Sequence, residues 1–224
     1  MILPLLEHLA SEGLDPKRIL QRAGVPEGAL ADPKTRLPKR TFQALWQAAS
    51  EATDDPLIAL RVATKVKPNA LGIISHLASA SDSPRNAFEL VKGVTPLLWE
   101  DFDCALENEG EAAFLRCHAR GSAQARRFTT QYAIGLAVTM SRAFGTARSD
   151  PLEARFSHPP PAYAPEYERI LRLPVRFDAA QDGVLFPIAM WDSTNPAADA
   201  TLRDRKSTRL NSSHLKLSRM PSSA

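Results

Sequence analysis

The chain has 224 residues, of which 44% are hydrophobic, 28 are Lys or Arg, 25 are Asp or Glu and two are Cys. Residues 204–224 account for the net charge of +3, because 23 basic and 24 acidic residues remain without them. The rest is neutral, which gives no electrostatic basis for binding nucleic acid or an anionic membrane. Two cysteines exclude a disulfide-rich scaffold and a four-cysteine zinc site. No apolar run approaches a membrane span, and the start MILPLLEHLASEG lacks the basic region of a signal peptide. We therefore expect a cytoplasmic protein.

The last segment, DRKSTRLNSSHLKLSRMPSSA, has no apolar periodicity. It resembles the peptide obtained by translating a short-read sequencing adapter in one reading frame. Residues 204–214 and 218–224 correspond to the two adapter arms, which flank a barcode. A disordered basic tail is the plain alternative. We expect residues 204–224 to be a non-native, disordered tail, and we exclude them from the fold. On this interpretation the natural sequence beyond Arg203 is missing.

The first half of the chain is predicted to be helical. Residues 1–23 form a helix that stops at Gly13 and restarts at Asp15-Pro16, a good N-cap followed by a good first helical residue. A loop over residues 25–38 precedes a clear amphipathic helix over residues 38–53. Asp55-Pro56 opens a further helix, and Pro68-Asn69 ends it. Residues 71–79 are apolar on nearly every side and predict a buried helix, and Ser83-Pro84 begins one that ends near Gly93 and Pro96.

The periodicity changes to two after residue 101. Two alternating runs around a Gly110 turn predict a β-hairpin with Cys104 and Cys117 on its apolar face. A long helix follows over residues 123–144. Residues 152–156, 175–177 and 184–186 are short strand candidates, the last two flanking an Asp182-Gly183 turn, and residues 163–171 form a short helix. The order predicts an α+β fold with a mostly helical N-terminal half, a β-hairpin, a long helix and a few short strands.

No strong catalytic motif is present: GxSxG, HExxH, the P-loop and GxGxxG are all absent from the sequence. Weaker candidates each have a plain alternative. Cys104 and Cys117 are either a redox pair or two small core residues. The cluster Glu100-Asp101-Asp103 offers carboxylates for acid–base chemistry or lies on a solvated strand face. Arg126-Arg127 either pairs with acidic residues or contacts a partner, or simply lies on the surface. We expect no catalytic residue and no metal site.

Five residues are candidate ligand contacts. His76 lies within an apolar helix, where it either reaches a ligand or is a hydrogen-bonded histidine of the core boundary. Arg116 and His118 share the second face of the hairpin, where they either meet an anionic ligand or are solvated. Trp99 and Tyr132, like Trp46, either line an apolar pocket or pack in the core.

Three stretches together carry a family resemblance: GLDPKRILQRAGVPEGALADPKTRLP, then FQALWQAASEATDDPLIALRVATKVKPNALGIISHLASASDSPRNAFELV, and LEARFSHPPPAYAPEYERILRLPVRFDAAQDGVLFP. In this order and spacing they resemble the N-terminal effector-binding domain of AraC-family transcriptional regulators, often labelled an arabinose-binding domain. The resemblance implies that residues 1–203 are an effector-binding and dimerisation domain, and that a DNA-binding domain with two helix-turn-helix units is missing.

From the resemblance we expect a protein that binds a small effector, possesses no enzymatic activity or cofactor, forms a homodimer and does not bind DNA by itself. The label does not identify the effector, because function depends on the site rather than on the fold. We expect the pocket to lie between the helices and the strands, with His76, Trp99, Arg116, His118 and Tyr132 as its residues. A dimerisation module without a ligand and a small enzyme of unknown chemistry are the alternatives.

Overall fold

The computed structural model describes residues 2–26, 28–29, 39–99, 101–144 and 150–194. The predicted tail at 204–224 and most of the predicted loop at 25–38 lie outside these ranges. The helices and strands follow each other in this order: α1 Ile2–Ser11, α2 Pro16–Arg22, α3 Lys39–Thr53, α4 Ile58–Lys65, a 3-10 helix Pro68–Leu71, α5 Ile73–Ala80, α6 Pro84–Leu98, β1 Phe102–Glu109, β2 Ala112–Ala119, α7 Ala123–Phe144, β3 Glu153–Arg155, α8 Ala164–Leu171, β4 Val175–Arg176, β5 Gly183–Pro187 and α9 Ile188–Trp191.

The α+β prediction is confirmed, and so are two helix starts. A carboxylate oxygen of Asp15 accepts the amide N–H of Lys17 at 2.9 Å, and the Ser83 hydroxyl accepts that of Asn86 at 3.2 Å. Each cap is followed by a proline at the first helical position, where no intrahelical hydrogen bond is lost. None of the described helices is long and apolar enough to cross a membrane.

Three local predictions were wrong. Helix α6 continues past Gly93 to Leu98 with Pro96 inside it, because a proline in the last turn removes one amide donor and leaves the rest of the helix intact. Helix α5 is not buried: its described side chains are half-buried or exposed, since only one side faces the protein. Gly183 is not in a turn but is the first residue of β5.

The five strands of the described residues form one sheet in the order β1-β2-β5-β3-β4. Strands β3 and β4 are parallel, and the other neighbours are antiparallel. Strand β5 therefore returns from the C-terminal part of the chain to lie between the hairpin and β3. It fits there because Gly183 has no side chain: an added Cβ would lie 2.3 Å from the carbonyl oxygen of Leu115 and 2.6 Å from the Phe114 ring.

Two hydrophobic clusters form the core of the described part of the chain, and α7 contributes to both. One cluster joins α1–α4 to the N-terminal half of α7 through Trp46, Phe128 and Tyr132. The other lies between the sheet and the helices α7, α8 and α9. Helix α4 packs closely along α7 at Gly135, where an added Cβ would lie 2.7 Å from the Cβ of Ala63. The sheet and the helical N-terminal half are thus packed on one shared helix.

Candidate ligand-binding site

An apolar cavity of about 250 Å³ lies between the helices and one face of the sheet. The sheet forms its floor, the C-terminal half of α7 one wall, and α5, α6 and α9 the other. The floor consists of Phe102, Cys104, Leu115, Cys117 and Phe186. The α7 wall consists of Ala133, Leu136, Ala137, Met140, Ser141 and Phe144. The opposite wall includes Ile74, Ala78, Ala87, Phe88, Val91, Thr95, Trp99, Met190 and Trp191.

The walls form because α6 and α7 each present an apolar stripe at helical spacing. On α7 the lining positions recur three and four residues apart, which places them on one side of the helix. Helix α5 packs mainly on α6 and on the 3-10 helix before it, and α6 packs on β1 and α9. Most lining side chains of α5, α6 and α7 are half-buried, so the cavity borders on solvent. This arrangement is typical of a site for an apolar small molecule.

The polar groups of the cavity wall are few and uncharged. The Thr95 hydroxyl donates to the carbonyl oxygen of Val91 at 2.8 Å, and the Ser141 hydroxyl to that of Val138 at 2.9 Å. The Ser75 hydroxyl donates to the carbonyl oxygen of Pro68. All three hydroxyl hydrogens are therefore used within the protein, and the oxygens retain lone pairs that can accept a hydrogen bond.

Cys104 and Cys117 are free, buried and directly opposite each other on the cavity floor. Opposite residues in an antiparallel pair alternate between hydrogen-bonded and non-hydrogen-bonded positions. Asp101 and Arg120 are hydrogen-bonded, because the Arg120 amide donates to the Asp101 carbonyl oxygen. The cysteines lie three positions further along the hairpin and are therefore a non-hydrogen-bonded pair. Burial raises the pKa of Cys104 to about 11 and also raises the pKa of Cys117, where the neighbouring thiol adds to the effect. Both remain thiols at neutral pH, which makes them poor nucleophiles.

Of the five residues predicted from the sequence, Trp99 lies in the cavity wall. It directly follows α6 as the C-cap residue, and its ring centroid lies 4.7 Å from that of Phe102 and 5.8 Å from that of Tyr132. Tyr132 lies behind Trp99 in the helical cluster, fully buried and also in contact with Trp46 at 5.4 Å. Burial raises the pKa of Tyr132 to about 12. The structure thus brings these two predicted residues together, one in the wall and one supporting it.

The other three predicted residues lie elsewhere. Arg116 and His118 border a separate polar hollow of about 150 Å³ on the opposite face of the sheet. The Arg116 guanidinium forms ion pairs with Glu107 at 2.9 Å and Asp103 at 3.5 Å, so its charge is already balanced. His76 is exposed on α5 and does not line the cavity.

The remaining polar candidates are paired, exposed or outside the described residues. Arg127 donates to the hydroxyl of Tyr163, and Arg126 is exposed. Asp103 is paired with Arg116, as described above, and Glu100 lies outside the described residues. No group of three or more His, Cys, Asp or Glu in the described ranges is placed to hold a metal ion.

Sequence reasoning missed most of the cavity wall, notably Phe88, Val91, Met140 and Trp191. The sequence shows these residues as part of the apolar stripes on α6 and α7. Such stripes predict a close-packed core as readily as a cavity wall. Only the separation between α6 and α7 distinguishes a cavity from close packing, and that separation depends on the tertiary arrangement.

The comparisons with known proteins agree with this fold. The family model described as the arabinose-binding domain of AraC transcription regulators, N-terminal, matches residues 13–195. The match spans most of the chain, and the protein belongs to this family. No curated protein gives a match.

Among solved structures, the chain is similar to the crystal structure of the transcriptional regulator CdpR from Pseudomonas aeruginosa. The TM-score is 0.67 and the sequence identity 17%, with 87% of this chain and 57% of that chain covered. At this identity the likeness shows a shared fold. The chain therefore spans little more than half the length of that regulator.

Proposed function

We propose that the protein is the ligand-sensing part of an AraC-type regulator and that the apolar cavity is its effector site. The observation that carries the proposal is a cavity of about 250 Å³ whose walls come from four helices and a sheet of one effector-binding-type domain. Native cores are normally packed without voids of this size, so an apolar cavity is stabilised when a ligand fills it.

The walls of this cavity suggest how binding is signalled. Helix α7 and the sheet floor belong to the hydrophobic cluster between the sheet and helices α7, α8 and α9. Helix α5, in the opposite wall, instead packs mostly on α6 and the adjoining 3-10 helix. A ligand that contacts both walls favours the arrangement in which α5 and α6 lie close to α7. The effector then acts by its differential affinity for two arrangements, which is the physical requirement for a population shift.

The wider biological role is part of the same proposal. We propose that DNA binding resides outside residues 13–195, that the domain forms a homodimer, and that it acts in the cytoplasm. The neutral charge of residues 1–203 supports the absence of DNA binding by this domain alone. Family membership supports a regulatory rather than an enzymatic role, and the inert thiols of the cavity floor agree with it.

The proposed effector contacts are those in and behind the cavity wall. Trp99 contacts the ligand and Tyr132 holds Trp99 in place. The sequence-derived candidates Arg116 and His118 provide a discriminating test, because they border the polar hollow on the other face of the sheet. A double substitution to Ala leaves effector binding unchanged if the ligand occupies the cavity, and abolishes it if the ligand occupies the hollow.

Filling the cavity tests the proposal directly. Ala137 lines the cavity on α7, and Ala137→Phe places a phenyl ring in it. The matched control is Ala143→Phe, the same substitution at an exposed position of the same helix. Thermal unfolding is measured with a panel of small apolar metabolites. We expect compounds that raise the Tm of the wild type and of Ala143→Phe to leave Ala137→Phe unchanged.

Two results would contradict the proposal. A compound that stabilises Ala137→Phe as strongly as the wild type binds elsewhere. A stable dimer in sedimentation, combined with no thermal response to any compound, favours a dimerisation module that binds no ligand.

A further inference from the structure

Aromatic side chains lie at both ends of the cavity floor. Phe102 is the first residue of β1. Phe186 on β5 pairs with Ala113, which lies opposite Asn108 near the other end of the hairpin. Because Phe102 and Phe186 both line the cavity, each marks one end of the floor.

Rings from the helices and from Trp99 join these two phenylalanines. At the Phe186 end, the Trp191 ring of α9 contacts Phe186 and Phe88 edge to face, with centroids 5.6 and 5.7 Å apart. At the Phe102 end, the Trp99 ring centroid lies 4.7 Å from that of Phe102. All five residues line the cavity, and Phe88 is only half-buried. The Phe186 end therefore combines three rings from α6, β5 and α9.

Sulfur is concentrated in the same wall. The sulfur-containing side chains in the described part of the chain all line the cavity, namely Cys104, Cys117, Met140 and Met190. Met190 directly precedes Trp191 on α9, which places it at the three-ring end. Contacts between sulfur and an aromatic ring are favourable, and a flexible thioether adapts to the ring that it meets. The wall thus offers an aromatic ligand more than apolar area.

The absence of charge limits the ligand further. No described side chain that lines the cavity carries a charge, and the guanidinium of Arg116 lies on the far face of the sheet. A carboxylate or an ammonium group inside this cavity loses its hydration without gaining a counter-ion, which is strongly unfavourable. The cavity therefore selects against charged ligands.

We infer that the effector carries an uncharged aromatic ring, and that this ring binds at the end of the cavity formed by Phe88, Phe186 and Trp191. An aromatic ligand gains ring–ring and sulfur–ring contacts beyond the burial of apolar area, whereas a saturated ring gains burial alone. This inference rests on the proposed function, because it takes the cavity to be the effector site.

The volume of the cavity sets the size of the ligand. A dry cavity of about 150 Å³ holds benzene, so one of about 250 Å³ holds about ten non-hydrogen atoms. A benzene ring with a three-carbon chain, as in propylbenzene, has this size.

Three probes with this skeleton separate the parts of the inference. The uncharged alcohols 3-phenylpropan-1-ol and 3-cyclohexylpropan-1-ol differ in whether the ring is aromatic, and 3-phenylpropanoate carries a negative charge. Each is titrated into the 224-residue chain labelled with ¹⁵N-tryptophan, and the indole N–H resonances are followed by NMR. Trp191 and Trp99 report on the two ends of the cavity, and Trp46 reports on the helical core.

We expect 3-phenylpropan-1-ol to bind about fivefold more tightly than 3-cyclohexylpropan-1-ol, the factor that favourable aromatic contacts make. Apolar area alone predicts the opposite order, because the saturated ring has more hydrogens and a larger surface. The ring current of the bound phenyl group should shift the Trp191 resonance more than that of Trp99. We expect 3-phenylpropanoate to bind more weakly than the phenyl alcohol.

A pair of variants tests whether the wall causes this preference. Phe88→Leu removes one ring of the three-ring end and keeps an apolar side chain, so it should reduce the preference for the phenyl alcohol by a factor of about three. Phe42→Leu is the matched control, since Phe42 is also half-buried but contacts Trp46 in the helical cluster. It should leave the preference as in the wild type.

The possible failures are distinguishable. If the cavity indoles respond to both alcohols but the cyclohexyl alcohol binds as tightly, or Phe88→Leu keeps the full preference, the inference is overturned and the cavity remains the effector site. Binding of 3-phenylpropanoate as tight as that of the phenyl alcohol overturns the exclusion of charge. If no probe changes the Trp99 and Trp191 resonances, the proposed site itself is wrong. Should Phe88→Leu not fold, the order of the two alcohols in the wild type decides by itself.

Discussion

His8 is a buried titratable residue outside the cavity. It is 5% exposed on α1, and its Nδ1 lies 3.0 Å from the ammonium group of Lys65. Lys65 can only donate, so the contact is a hydrogen bond when His8 is neutral. Burial, followed by the charge of Lys65, lowers the pKa of His8, while the carboxylates of Glu12 and Asp55 oppose this and Arg61 adds to it.

This lowered pKa predicts that the protein loses stability as the pH falls below about 6.5, the pKa of an unperturbed histidine. In that range the unfolded chain takes up a proton that the folded His8 resists, so unfolding becomes more favourable. The loss stops once the pH passes below the folded pKa. We expect the urea midpoint to be lower at pH 5.5 than at pH 7.5.

The control uses a second histidine. His8→Gln should flatten the pH dependence, because Gln supplies an acceptor that does not titrate in this range. His118→Gln, at an exposed position, should leave the dependence as in the wild type. An equal slope in His8→Gln and the wild type would assign the pH dependence to other groups.

Single residues also show what the sequence could predict of the site. Trp99 was predicted because ligand sites are lined mainly by apolar and aromatic side chains, a rule that does not distinguish a pocket residue from a core residue. Trp191 was missed because it follows a short strand in a segment without helical periodicity. Its place in the cavity wall comes from the packing of α9 on α6 and β5, a property of the tertiary structure that no local pattern contains.

The contact between α4 and α7 predicts the effect of a small substitution. Gly135 is buried on α7, and a Cβ there would lie 2.7 Å from the Cβ of Ala63 and 3.3 Å from the carbonyl oxygen of Leu60. Gly135→Ala should therefore force the helices apart and reduce the free energy of unfolding by about 1–3 kcal/mol. Denaturant unfolding of the wild type and of Gly135→Ala measures this difference in the free energy of unfolding.

Gly93→Ala is the matched control for this substitution. Gly93 lies within α6, and a Cβ built there meets no atom within 4 Å. Alanine has the higher helix propensity, so Gly93→Ala should raise the free energy of unfolding by about 0.5–1 kcal/mol. If Gly135→Ala also raises the free energy of unfolding, the space between α4 and α7 accommodates a Cβ at this position and the prediction is wrong.

Most helices and the hairpin were predictable because their signals are local. The ends of α7 follow from its periodicity, and the cysteine pairing follows from the alternation around the Gly110 turn. The position of β5 was not predictable, because its pairing with β2 joins residues about 70 apart in sequence. That pairing needs a glycine at position 183 for close approach, and a lone glycine in a sequence predicts a turn as readily.

The apolar cavity also makes a prediction about the sugar for which the family is named. L-Arabinose carries a hydroxyl on most of its carbons, whereas the lining hydroxyls of Thr95 and Ser141 donate to backbone carbonyls. Each sugar hydroxyl buried without a partner costs about 1–3 kcal/mol. We expect millimolar L-arabinose to leave the Tm unchanged, measured beside propylbenzene under the same conditions. An arabinose-dependent rise in Tm that Ala137→Phe removes would show that the cavity accepts a sugar.

Helix α7 carries residues of both hydrophobic clusters, and this shared use has a consequence for how such domains diverge. Leu136 and Met140 of α7 line the cavity and also pack against the helical cluster, so a substitution at either residue changes both. Helices α5 and α6 supply the opposite wall and contribute little to the helical core. New ligand preferences can therefore arise by changes on α5 and α6 while α7 stays fixed, which lets one scaffold recognise different molecules over evolutionary time.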